Sequence, residues 1–290
     1  MDQAQNLRKY VNRTHVTPSE DITSSNDAKI ITISSGKGGV GKTNFSVNLA
    51  IALAKLGRRV SLIDADLGLA NVDVLMDLVP KYNLNHFIRM EKTIEDIIIE
   101  GPYGLNIISG GSGLLEMANL NKDNLKRLID GLQILNERSD YIIIDTGAGL
   151  SDSVISFVEA AHDVILIVTP DPTSITDAYA LIKNIHQMEK NLKIVVNRVD
   201  SNKEGYEVFN KIHLAAKRFL NSEIKHLGFI YEDSSVKKSV NLQTPVIIAF
   251  PNSLASKGIE MIAYNIENNN VFNPEPNTFK NFINKLLAKV

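Results

Sequence analysis

The sequence predicts a doubly wound α/β fold: a mostly parallel sheet flanked by helices, with short amphipathic helical appendages at both termini. Three observations carry this. Six short runs, Ile30–Ile33, Val60–Ile63, Leu105–Ile108, Tyr141–Ile144, Val164–Val168 and Ile194–Val196, are rich in β-branched residues and apolar at successive positions. Successive side chains of a strand point to opposite faces, so such runs suit strands covered on both sides. Helical periodicity fills the intervals at Thr43–Leu56, Lys122–Arg138, Thr173–Glu189 and Glu204–Leu220. Finally, a glycine-rich turn joins the first run to the first helix, at the edge where sheets of this class hold ligands.

The first helix is closed by Gly57, which tolerates the left-handed conformation of a helix end. Residues 1–13 form a short polar element, and 14–27, rich in Ser, Thr, Asp and Asn around Pro18, read as a linker. Strand–helix alternation occupies residues 28–268 as one domain. Residues 269–278, with the break Asn273–Pro276, form a second linker, and 279–290 a separate terminal helix.

Composition narrows the chemistry. The 290 residues are 44% hydrophobic and 22% charged, enough to bury a large core. A formal net charge of -2 gives no general attraction to nucleic acid, and no nucleic-acid partner is expected. The absence of cysteine excludes disulfides, thiolate nucleophiles, cysteine zinc sites and iron–sulfur clusters. No apolar run reaches the ~20 residues of a membrane span, and Met1–Arg13 lacks the apolar core of a signal peptide. A cytoplasmic protein is expected.

The turn reads Gly36-Lys37-Gly38-Gly39-Val40-Gly41-Lys42-Thr43 and satisfies the P-loop pattern in full, with Asn44 next in the helix. Glycines let the backbone amides curl toward phosphate oxygens, and the helix adds its positive end. Lys42 is expected at the terminal phosphates of ATP and the Thr43 hydroxyl at Mg2+. Two further strand ends supply acids. Val60–Ile63 runs into Asp64-Ala65-Asp66 and on to Asn71, and Tyr141–Ile144 runs into Asp145-Thr146-Gly147-Ala148-Gly149. Asp145 closes its strand as expected of an acid holding magnesium through water. Asp64 and Asp66 stand two apart, so only one of them can face the phosphates if the strand continues. The run Ile194–Val196 ends in Asn197-Arg198-Val199-Asp200, where Asn197 either reads a base edge or caps the turn.

Lys-Gly-Gly-Val-Gly-Lys-Thr resembles the deviant P-loop of the MinD/ParA family. The resemblance implies a slow ATPase that dimerises face to face around two ATP molecules, with Lys37 crossing to the partner's nucleotide. It assigns water activation to Asp66, support of the magnesium shell to Asp64, a γ-phosphate-sensing position to Asn71, and adenine contact to Asn197 and Arg198. ATP is therefore expected rather than GTP. Asp-Thr-Gly-Ala-Gly, with Gly147 where a proline is commoner, resembles the flagellar-number regulators of the FlhG type.

Two terminal segments extend the resemblance. Asp2-Gln3-Ala4, followed by Leu7 and Arg8, resembles an activation helix that stimulates a flagellar GTPase related to those of the signal recognition particle, with Gln3 assisting in the partner's site. Phe279, Phe282, Ile283, Leu286 and Leu287 form an apolar stripe flanked by Lys280, Lys285 and Lys289, the pattern of an interfacial membrane helix. The implied partners are a second copy of the chain, that GTPase, flagellar basal-body components and an anionic membrane. The implied location is the cytoplasm, with reversible recruitment to the inner face of the cell membrane.

Overall fold

The computed structural model describes residues 27–66, 71–110, 133–188 and 190–268. The chain runs β1 (Lys29–Ser35), α1 (Lys42–Lys55), β2 (Val60–Ala65), the short helices α2 (Val72–Leu75), α3 (Leu84–Ile88) and α4 (Ile94–Ile97), then β3 (Ile99–Glu100) and β4 (Asn106–Ser109). After a helical turn at 133–138 come β5 (Tyr141–Ala148), α5 (Asp152–Ala160), β6 (Asp163–Val168) and α6 (Pro172–Ile185). It closes with β7 (Asn191–Val199), α7 (Asn202–Leu220), β8 (Lys225–Tyr231), α8 (Ser234–Asn241), α9 (Val246–Ala249) and α10 (Leu254–Asn268).

The eight strands form one sheet in the order β3-β4-β2-β5-β1-β6-β7-β8, parallel except for the short β3–β4 pair. All six apolar runs fall on strands, with Leu105 one residue ahead of β4. Their alternate residues feed two cores: Ile30, Ile142, Val164 and Ile194 face α5, α6 and α7, whereas Ile31, Ile143, Ile165 and Val195 face α1 and α10. Every strand of the central sheet is thus covered on both sides, which is why its sequence shows runs rather than alternation.

The helices predicted at 43–56 and 204–220 correspond to α1 and α7; that at 173–189 is α6 followed by a 3-10 turn at His186–Met188. Residues 122–132 of the second predicted helix lie outside the described residues, and 133–138 are helical. Also outside them are Asp2, Gln3, Leu7 and Arg8, and Phe279, Phe282, Ile283, Leu286 and Leu287. Among the described residues no helix is long and apolar enough to cross a membrane.

Candidate nucleotide site

Strand order creates the site. Inserting β5 between β2 and β1 sets Asp64 beside Asp145 in register, one strand away from the loop after β1. The helix that follows the loop begins at Lys42. Gly39 and Gly41 take φ of 76° and 89°, the left-handed region that a side chain would strain. Gly36 serves a different need: a Cβ there would lie 2.2 Å from the Asp177 carbonyl carbon and 2.6 Å from the Ala178 nitrogen, both backbone atoms of α6. Gly36→Ala is therefore expected to push α6 off the loop and lower stability by about 1–3 kcal/mol, measured by urea denaturation.

At the floor of the loop, Lys42 Nζ is 3.0 Å from Asp145 Oδ1, with Asp145 fully buried and Lys42 7% exposed. Ser46, one helical turn beyond Lys42, donates its hydroxyl to the same oxygen at 2.8 Å. Asp145 Oδ2 is buried and has no hydrogen-bond partner among the described residues. A buried carboxylate oxygen without a donor suits the water shell of a bound cation. A cavity of about 990 Å³ opens above, lined by Gly38, Gly39, Gly41, Lys42, Thr43, Asn44, Asp66 and Asn71 among others. Asn197, Arg198 and, after β8, Glu232, Asp233, Ser234, Val236 and Lys237 also line it. That volume and its glycine cradle fit a nucleoside triphosphate with Mg2+. Among the described residues there is no group of three or more His, Cys, Asp or Glu that could hold a metal ion.

The two acids of Asp64-Ala65-Asp66 separate because the strand stops between them. The strand ends at Ala65, Asp66 lines the cavity, and Asp64 is buried beneath it. Burial, and then the Asp145 carboxylate, push the Asp64 carboxyl up to about 6 despite three backbone amide donors.

Lys37 stands at the rim, where its ammonium contacts Asp171 Oδ2 at 2.6 Å and the Thr173 hydroxyl. Asp171 caps α6 by accepting from the Thr173 N–H. The Lys37 ammonium and the Thr173 donors hold its carboxyl down at about 2. Asn197 is engaged with the loop and with its own turn. Its Nδ2 donates to the Val40 carbonyl at 2.8 Å and its Oδ1 accepts from the Arg198 N–H at 3.0 Å, stapling the loop to β7. One N–H and lone pairs of the amide are left for a base edge. Arg198, at φ 59°, projects from that turn onto the cavity wall.

Sequence reasoning missed Ser46 and the pair Asp171–Thr173. Ser46 carried a signal, since a residue four beyond Lys42 shares its helix face. Asp171 follows a strand directly before Pro172, the pattern of a helix cap at the ligand edge.

Comparison with known proteins agrees with this geometry. The ParA family, described as NUBPL iron-transfer P-loop NTPase, matches residues 26–267. Antiactivator FleN of Pseudomonas aeruginosa is 44% identical over 251 residues, 86% of this chain and 89% of that protein. The flagellum site-determining protein YlxH of Helicobacter pylori is 37% identical over 248 residues, 85% of this chain and 84% of that protein. Among solved structures, a chain of the MinC:MinD cell division protein complex of Aquifex aeolicus superposes with a TM-score of 0.67 at 27% identity, covering 86% of this chain and 99% of that one. A family match across nearly the whole described body, together with relatives well above 30% identity, shows that this chain belongs to the ParA/MinD family of P-loop ATPases.

Proposed function

We propose that this ATPase is a dimerising switch that regulates the number and placement of flagella. The observation that carries the switch is the division of labour between two lysines: Lys42 is buried on Asp145, whereas Lys37 stands on the open rim with its side chain 38% exposed. Likeness to FleN and YlxH supports the flagellar role.

Bound ATP lays its phosphates along Gly36–Thr43, where the loop amides and Lys42 neutralise their charge. With phosphate bound, Lys42 would be free to meet it, and Asp145 and the Thr43 hydroxyl are the groups that would hold the magnesium ion. Magnesium held there would neutralise phosphate charge. Asp66 lines the same cavity and orients the attacking water, and Asn71 meets the γ-phosphate end. Lys37 leaves Asp171 to reach the nucleotide of a second copy, so hydrolysis is slow until two copies meet. The segments 1–13 and 279–290, outside the described residues, add stimulation of a signal-recognition-type flagellar GTPase through Gln3 and reversible binding to the anionic inner face of the cell membrane. Flagellar basal-body components complete the set of partners.

Light scattering and phosphate release test the switch together. Lys37→Ala is expected to keep ATP affinity but lose dimers and to slow hydrolysis by about 10³-fold or more. Wild-type turnover by the monomeric variant would remove the trans role. A peptide of residues 1–20 is expected to accelerate GTP hydrolysis by the flagellar GTPase, and Gln3→Ala to abolish that effect. An inert wild-type peptide would withdraw the GTPase partner.

A further inference from the structure

We infer that Asp64 is a positioning residue, the anchor that holds Asp66 and Asn71 in place around the γ-phosphate, rather than a ligand of the magnesium shell. The inference rests on the reading of Asp66 as the group that orients water.

Asp64 is the penultimate residue of β2, in register with Asp145 on one side and Ser109 on the other. Its carboxylate is enclosed and points along the chain that follows it. Oδ1 accepts from the Asp66 N–H at 3.1 Å. Oδ2 accepts from the Asn71 N–H at 3.0 Å and the Val72 N–H at 3.2 Å. Three of roughly four lone-pair directions are therefore occupied by main-chain donors. A second tether runs in parallel: the Ser109 hydroxyl donates to Asp73 Oδ2 at 3.0 Å, fastening α2 to the end of β4.

The consequence lies in what each residue faces. Asp66 and Asn71 line the nucleotide cavity, and both are held by their own backbone N–H groups on the Asp64 carboxylate. An acid that fixes two cavity residues through the main chain controls where their side chains sit, and a misplacement of about 1 Å costs on the order of 100-fold in rate. Asn is the informative replacement. It keeps the volume and one acceptor, but turns the other oxygen into an NH2 that opposes main-chain donors.

The test compares full-length wild type, Asp64→Asn, Asp64→Glu and Asp66→Asn. Three quantities are read: the Mg2+ titration midpoint of fluorescent-ATP binding, the single-turnover hydrolysis rate, and hydrogen exchange at the Asn71 and Val72 amides. Asp64→Asn is expected to leave the Mg2+ midpoint within about threefold, to slow hydrolysis about 100-fold, and to accelerate exchange at both amides. A midpoint weakened by about tenfold or more with exchange unchanged would make Asp64 a metal ligand and overturn the inference. Should Asp64→Asn fail to fold, Asp64→Glu carries the test: an unchanged Mg2+ midpoint with slowed hydrolysis and faster exchange at Asn71 and Val72 supports the anchor, and a midpoint weakened about tenfold with exchange unchanged overturns it. Asp66→Asn separates the two readings. Wild-type hydrolysis there would end the water-orienting assignment, while the exchange data still decide what Asp64 holds.

Discussion

Lys42→Ala is expected to abolish ATP hydrolysis and to destabilise the nucleotide-free protein by about 3–5 kcal/mol. Both effects come from one removed ammonium. In the free protein that ammonium sits 3.0 Å from a carboxylate with no solvent exposure, and Ser46 is the other donor at the same oxygen. Without it Asp145 is a buried, underpaired charge. In the complex the same ammonium would meet the terminal phosphates, where one fixed cation contributes on the order of 10³-fold or more to phosphoryl transfer. Thermal unfolding and phosphate release separate the two roles. Lys42→Ala combined with Asp145→Asn should recover most of the lost stability, because the charge to be compensated is gone, yet remain inactive. Recovery of neither would mean that the pair is not the source of the destabilisation.

Asp163→Ala should cost about as much, roughly 3–5 kcal/mol, without touching the nucleotide site. Asp163 opens β6 and is shared by two cations from adjacent strands, Lys29 at 2.9 Å and Lys193 at 2.6 Å, with the Asn191 amide on its other oxygen at 2.6 Å. All three charged side chains are nearly enclosed. Burial alone would push the Asp163 carboxyl up; the Lys193 and Lys29 ammoniums outweigh it and hold the group below its ordinary value. A carboxylate depressed on folding adds stability that is present above its unfolded value, near 4, and is lost as pH falls through the folded value. Urea denaturation across acid pH should therefore show a steep loss in wild type and a shallower one in the variant. Equal slopes would mean that Asp163 is not the group being titrated.

Legibility in the sequence followed the environment of each residue. Ile30–Ile33 and Val164–Val168 announced strands because both their faces are covered. β8 was missed because it is the edge strand: Lys225 is exposed, and the apolar run is broken by His226 and Gly228. α10 was missed as well, and Gly258 lies inside it. In the fold that glycine lets the helix close on β8, since a Cβ there would lie 2.9 Å from the Phe229 carbonyl oxygen. Gly228 does the same from the strand, where a Cβ would lie 2.5 Å from Ile262. At the site, the phosphate loop was fully readable because its chemistry is local to eight residues. The partners of its charges were not. Lys42 meets Asp145 across 103 residues and Lys37 meets Asp171 across 134, separations fixed only by which strands become neighbours.

That strand order also sets a schedule for synthesis. β1 emerges from the ribosome first, but its two neighbours are β5 and β6, whose pairings with it begin at Lys29↔Tyr141 and Ile31↔Asp163. A nascent chain that stops short of β5 contains the whole Gly36–Thr43 loop with no strand on either side of β1 to hold it. Such long-range closures are the slow part of folding. ATP binding during translation is thus expected to switch on abruptly once β5 and β6 have cleared the ribosome, which makes nucleotide capture a sign that the central sheet is complete.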